Sequence, residues 1–197
     1  YTRAAQMTPE VSGRALLGLL AFVKERGGKM GLEQVVAALG PIARPAFAAR
    51  IQPLGFYPYA AYVELLYVLK SRFGKANEKT FFRRLGATAG ERDLGTMFKI
   101  YVALASPERL IRSCSRVWSS YYRNAGTMTA IAWAPDDTRL RIEGFVDMDR
   151  AHCELMEGWM LQTMAKIGVT VNDDARETVC AAHGGEYHEF ACTWRPH

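Results

Sequence analysis

The chain predicts an α+β fold, with N-terminal helices followed by a β-β-α-β-β segment that forms an antiparallel sheet packed on helices. Three observations carry that prediction. Apolar residues recur at helical spacing through residues 1–125, the period drops to two after Gly126, and a long helical stretch at 147–167 separates two hairpin-like segments. Helices first and strands later is an α+β order, unlike the alternating βαβ order of a parallel sheet. At 197 residues the chain reads as one domain, 1–197, with a helical layer over 1–125 and the β-β-α-β-β segment over 126–197.

The elements follow in order. Thr8-Pro9 offers an N-cap and a first-turn proline, and Leu16, Leu17, Leu19, Leu20, Phe22 and Val23 continue the helix until Gly27-Gly28 ends it. Its apolar surface is too wide for a single stripe, which predicts burial on two sides or a subunit contact. Leu32 to Leu39 forms a shorter helix stopped by Gly40-Pro41, and 53–58 forms a loop. Tyr62, Leu65, Leu66, Leu69 and Phe73 mark the buried face of the next helix. Two or three more helices fill 78–118, divided near Gly95 and restarted by Ser106-Pro107-Glu108. Gly86 and Gly90 sit four apart, where a second backbone can approach closely, although looseness at a helix end gives the same pattern. Thr127–Ala134 and Thr138–Phe145 pair around Pro135-Asp136-Asp137. After the 147–167 helix, 175–182 and 187–194 pair around Gly184-Gly185.

Composition narrows the function. Hydrophobic residues are 49% and charged residues 23%, an ordinary globular balance. The net charge is +5, but the basic residues are scattered, so no nucleic-acid partner is expected. No stretch reaches the roughly 18 to 20 apolar residues of a membrane span, and a cytoplasmic protein is expected. Four cysteines are too few for a disulfide scaffold and suit thiols or metal ligation. Neither a nucleophile-base spacing nor a Gly-rich phosphate loop occurs, so no enzyme is expected. Glu154 and Glu157 beside His152 read as a solvated helix face.

The densest chemistry lies in the last 45 residues. Period-two geometry puts His188, Phe190, Cys192 and Trp194 on one, interior, face of the final strand. Cys180 and Glu177 lie in the neighbouring strand, and Cys153 lies in the first turns of the preceding helix, on the face of Met156, Glu157 and Met160. Two sulfurs, one imidazole and one carboxylate form a tetrahedral metal set, with zinc the natural occupant. The same residues read equally as small buried thiols and a hydrogen-bonded core histidine.

The pattern Cys153, then Glu177-x-x-Cys180, then His188 followed by x-Phe190, at the end of a β-β-α-β-β segment, resembles the 4-vinyl-reductase domain. That small-molecule-binding module also occurs in phenol-responsive activators and is related to haem-nitric-oxide-binding domains and to subunits of the TRAPP transport particle. The resemblance implies a metal set of Cys153, Glu177, Cys180 and His188, with His188 in the place of the usual third cysteine and Cys192 or His183 as alternative donors. Leu85-Gly86 through Trp118, with Met148 to Gly158, also resembles an uncharacterised myxobacterial paralogous family.

The resemblance implies a sensory or regulatory domain for an unknown apolar or aromatic small molecule, bound between sheet and helices. Trp118, Tyr121, Tyr122, Trp133 and Trp159 are its candidate lining residues. No histidine precedes His152, so haem is disfavoured. A competing reading, drawn from the transport-particle relatives and the wide apolar N-terminal helix, is a homodimeric assembly module that pairs through its N-terminal helices without a diffusible ligand.

Overall fold

A computed structural model describes residues 7–75, 78–96, 106–134, 136–172 and 176–195, with side chains except at 93–96, 107 and 133. It has the predicted α+β architecture, and one N-terminal detail was not anticipated. Glu10–Ser12 (β1) is extended, pairing on one side with Phe56–Pro58 (β2) and on the other with Tyr122–Arg123 (β3). Thr8-Pro9 therefore does not start the first helix, and the expected 53–58 loop contributes a strand. Val11 is fully buried here, and the Cα of Gly13 lies against the carbonyl of Gln52.

The first helix, α1, runs Gly13–Ala38. Gly28, at φ 61° and ψ −156°, interrupts it in a conformation that a side chain would strain, so the anticipated stop is a kink after which the helix resumes. Leu16, Leu19, Phe22 and Val23 are buried, and Ala15, Leu17 and Leu20 pack beside them. Phe22 meets Phe73 and Phe81 edge-on, at centroid distances of 5.8 and 6.4 Å. The wide apolar surface of α1 is thus taken up within the chain, which removes the main sequence argument for a dimer through it.

A single turn, α2 (Arg44–Phe47), leads to α3 (Tyr59–Phe73), which buries Tyr62, Leu65, Leu66 and Leu69 as its spacing predicts. Helix α4 (Phe81–Thr96) passes through Gly95 without a break, and 97–105 lie outside the described residues. Ser106 caps α5 (Pro107–Arg112) by accepting the Arg109 N–H, and α6 (Cys114–Tyr121) follows. Helix α7 (Arg150–Lys166) is capped by Asp149, whose side chain accepts the Ala151 N–H at 2.8 Å.

The main sheet is antiparallel. Its order is β4 (Thr127–Ala134), β5 (Asp137–Glu143), β8 (His188–Arg195), then β6 (Thr170–Val171), with β7 (Arg176–Val179) also paired to β8. His188, Phe190, Cys192 and Trp194 are buried, in agreement with the period-two reading. The main core joins the sheet's inner face to α1, α3, α4, α6 and α7, and Ile111, Met164, Cys192 and Trp194 form a smaller cluster. Among the described residues no helix is long and apolar enough to cross a membrane.

Candidate ligand cavity and metal-ligating cluster

A cavity of about 100 Å³ lies among α1, α6, α7 and the sheet. Leu19, Trp118, Tyr122, Met156, Trp159 and Phe190 contribute to its wall, and among the described residues Arg14 is the one charged residue on it. Comparable dry cavities of about 150 Å³ take up benzene, so the space suits a molecule of one ring or a short chain. Helical spacing explains the lining: Met156, Trp159, Met160 and Thr163 fall on one face of α7. Two orienting contacts fix the aromatics. Trp118 donates its Nε1–H to the Ala125 carbonyl at 3.1 Å and stacks on Tyr122 at 4.2 Å.

Behind Tyr122 lies a fully buried imidazole. The Tyr59 hydroxyl accepts the Asp149 N–H and lies 3.0 Å from Nδ1 of His152, while Nε2 lies 2.7 Å from the Tyr122 hydroxyl. With the Tyr59 proton aimed at Nδ1, the neutral ring carries its own proton on Nε2 and donates it to Tyr122. Burial, followed by repulsion from His188, pushes the His152 pKa down to about 3, so the ring stays neutral. Tyr122 is also hydrogen-bonded to Tyr62, which lines the cavity. Glu154 and Glu157, expected on a solvated face beside His152, are themselves only 25% and 12% exposed.

The second constellation assembles as the spacing suggests. The donor atoms of Cys153, Glu177, Cys180 and His188 all lie within 4.8 Å of one another. Nδ1 of His188 is 2.7 Å from Glu177 Oε1 and 3.5 Å from Cys153 Sγ. His188 Nε2 points at the Phe145 carbonyl, 3.1 Å away. That contact leaves Nδ1 facing the cluster, where a bound metal would take its lone pair while the ring proton stays on Nε2, the usual outer-shell arrangement of a metal-binding histidine. Arg150 holds the other Glu177 oxygen at 2.6 Å, and the Glu157 carboxylate accepts the Glu177 N–H at 2.8 Å.

The electrostatics suit a cation. Burial opposes the charge of Glu177, but hydrogen bonds from His188, Cys180 and Cys153 outweigh it and hold the carboxyl below its ordinary range. Burial and the Glu177 charge push the Cys153 thiol up, and burial followed by the hydrogen bond with Glu177 does the same at Cys180. A bound metal would reverse both thiol shifts by replacing their protons. Neither alternative donor is in the set: Cys192 belongs to the smaller apolar cluster and His183 to the turn Ala181–His183.

Of the lining residues expected from sequence, Trp118, Tyr121, Tyr122 and Trp159 border the cavity, whereas the Trp133 side chain lies outside the described residues. Sequence reasoning missed His152, Arg14 and Thr163. The signal for His152 was available, because residues 152, 155, 156 and 159 share one helical face.

No family model and no curated protein sequence matches the chain. Solved structures do. An H-NOX protein from S. oneidensis in the Fe(II)NO state superposes with a TM-score of 0.71 at 9% identity, over 94% of this chain and 99% of that one. An unliganded Fe(II) H-NOX protein from K. algicida gives 0.68 at 12%, over 94% and 97%. An oxygen-binding H-NOX domain related to soluble guanylate cyclases gives 0.68 at 11%, over 94% and 95%. The chain has the H-NOX fold.

This corrects the cofactor expectation, which set haem aside and put zinc in its place. The structures that match are those of H-NOX proteins, solved in Fe(II), Fe(II)NO and oxygen-bound states, which the reading from the missing early histidine did not foresee. The cavity wall offers iron a thiol, Cys114, whose burial raises its pKa and keeps it protonated. The roughly 300 to 1,000 Å³ of a typical ligand pocket exceeds the space among the described residues, and a porphyrin enters only if the walls part.

Proposed function

We propose that the chain is a sensory domain that holds a small, largely apolar molecule in the cavity beside Trp118, Tyr122 and Trp159. The aromatic-lined cavity between sheet and helices carries this reading. The H-NOX likeness supports its coarser part, a small-molecule sensor fold, while the motif Cys153, Glu177-x-x-Cys180, His188 supports kinship with 4-vinyl-reductase domains. In the same reading Cys153, Glu177, Cys180 and His188 hold one metal ion. Four protein ligands close such a site, so it secures structure by tying β7 and β8 to the start of α7.

Occupancy would act as a population shift. A ligand that contacts Tyr62 and Tyr122 biases the hydrogen bonds running through His152 to Asp149, the cap of the helix that carries Cys153. The test is titration of the intact chain with toluene, benzyl alcohol and hemin, followed by tryptophan fluorescence, with the Soret band as a second readout for hemin. Saturable one-to-one binding that Gly18→Leu weakens is expected, because Gly18 borders the cavity with nothing within 4 Å of an added Cβ. Failure of every probe to saturate would overturn the proposal.

A further inference from the structure

We infer that the cavity's ligand is a small organic acid, with its apolar ring or chain enclosed and its carboxylate on Arg14. The inference rests on the ligand-binding reading above and names the chemical class it takes. Arg14 lies in the first turn of α1 and is, among the described residues, the only charged side chain on the cavity wall. Among the described residues its guanidinium has no acidic partner and no hydrogen bond, although it is half-buried. Other arginines next to buried regions have acidic partners: Arg92 pairs with Glu25, Arg141 with Glu189, and Arg150 with Glu177. A guanidinium beside an apolar enclosure keeps full charge and offers a two-pronged donor that matches a carboxylate.

A second observation points to a polar occupant. Thr163 is buried, lines the same cavity, and its Oγ1 has no hydrogen-bond partner among the described residues. A helical threonine ordinarily bonds back to a carbonyl one turn earlier, and a buried hydroxyl left without a partner costs about 1 to 3 kcal/mol. An occupant with a polar atom relieves that cost, and a pure hydrocarbon does not. The volume limits the body of the ligand to about one ring.

The experiment compares benzoate with its neutral isostere benzamide on the full chain at pH 7.5, by calorimetry. Benzoate is expected to bind at least about tenfold more tightly, as a charge-assisted hydrogen bond supplies, and its advantage should shrink with added salt. Arg14→Gln should bring the ratio close to one, and Arg14→Lys should restore part of it, with circular dichroism confirming the fold of each. Benzamide binding as tightly as benzoate, or an Arg14→Gln ratio equal to that of the parent chain, overturns the acid assignment and leaves the cavity reading standing. No saturable binding by benzoate, benzamide, toluene or hemin overturns both.

Discussion

The Tyr122 hydroxyl sits 2.7 Å from Nε2 of His152, and that contact joins the cavity wall to the helix that carries Cys153. Both residues are buried, so water cannot replace either partner. Tyr122→Phe keeps the ring that stacks on Trp118 and removes only the oxygen. The expected loss is about 1 to 3 kcal/mol, the cost of leaving a buried imidazole N–H without an acceptor. Urea unfolding checks this, with the midpoint falling and the slope unchanged. Unaltered stability would mean that His152 finds another acceptor.

Gly86 and Gly158 make the crossing of α4 and α7 possible from both sides. A Cβ on Gly86 would run into the Leu155 carbonyl, and one on Gly158 into the Arg83 carbonyl; each obstacle is backbone, which cannot rotate away. Gly86→Ala or Gly158→Ala should each cost about 3 kcal/mol or more, at the upper end of overpacking. Gly18→Ala is the control. Nothing lies within 4 Å of its added Cβ, so helix propensity should make it stabilising by up to about 1 kcal/mol. Thermal unfolding of the three variants separates close packing from simple flexibility.

That crossing shows how far local pattern reaches. The spacing of Gly86 and Gly90 left close approach and helix-end looseness both open, and gave no sign that Gly158 supplies the matching half from 72 residues away. The switch from helical period to alternation gave both hairpins and the inward face of β8, because each depends on neighbours along the chain. The small sheet of β1, β2 and β3 was hidden, because strands of two or three residues carry no periodicity. The cluster of Cys153, Glu177, Cys180 and His188 was legible through its spacing, which resembles that of 4-vinyl-reductase domains, and the four donor atoms do lie together. Arg14 and Thr163 were not, since what marks them is an absent partner, and only tertiary structure shows that.

Metal ligation predicts a spectroscopic signature. Co(II) added to the chelator-treated chain should bind one per protein and give thiolate-to-metal charge-transfer absorption, while Cys153→Ala and Cys180→Ala should each lose most of it. Because ligation adds to folding free energy, metal should raise the melting temperature by about 2 to 4 °C for each kcal/mol gained in a chain this size. His188→Gln should weaken binding while leaving some charge-transfer absorption, since both sulfurs remain. A chain whose absorption and melting temperature ignore the metal would establish Cys153 and Cys180 as free thiols beside a hydrogen-bonded His188–Glu177 pair.

Tyr67 predicts a change at alkaline pH. Its hydroxyl donates to Oδ1 of Asp149 at 3.0 Å, the same oxygen that caps α7, and the phenol is held at about 12 by partial burial and then by that hydrogen bond. In the unfolded chain the phenol titrates near 10. The folded state therefore keeps a proton that the unfolded state has lost, and the stability Tyr67 contributes is full below pH 10 and disappears as pH rises toward 12. At neutral pH, Tyr67→Phe should cost under about 1 kcal/mol, because the side chain is half exposed. Measured by urea unfolding at pH 7 and pH 11, the gap between parent and variant should narrow at the higher pH. A gap that stays constant would mean that the hydroxyl's contact with Asp149 does not depend on its proton.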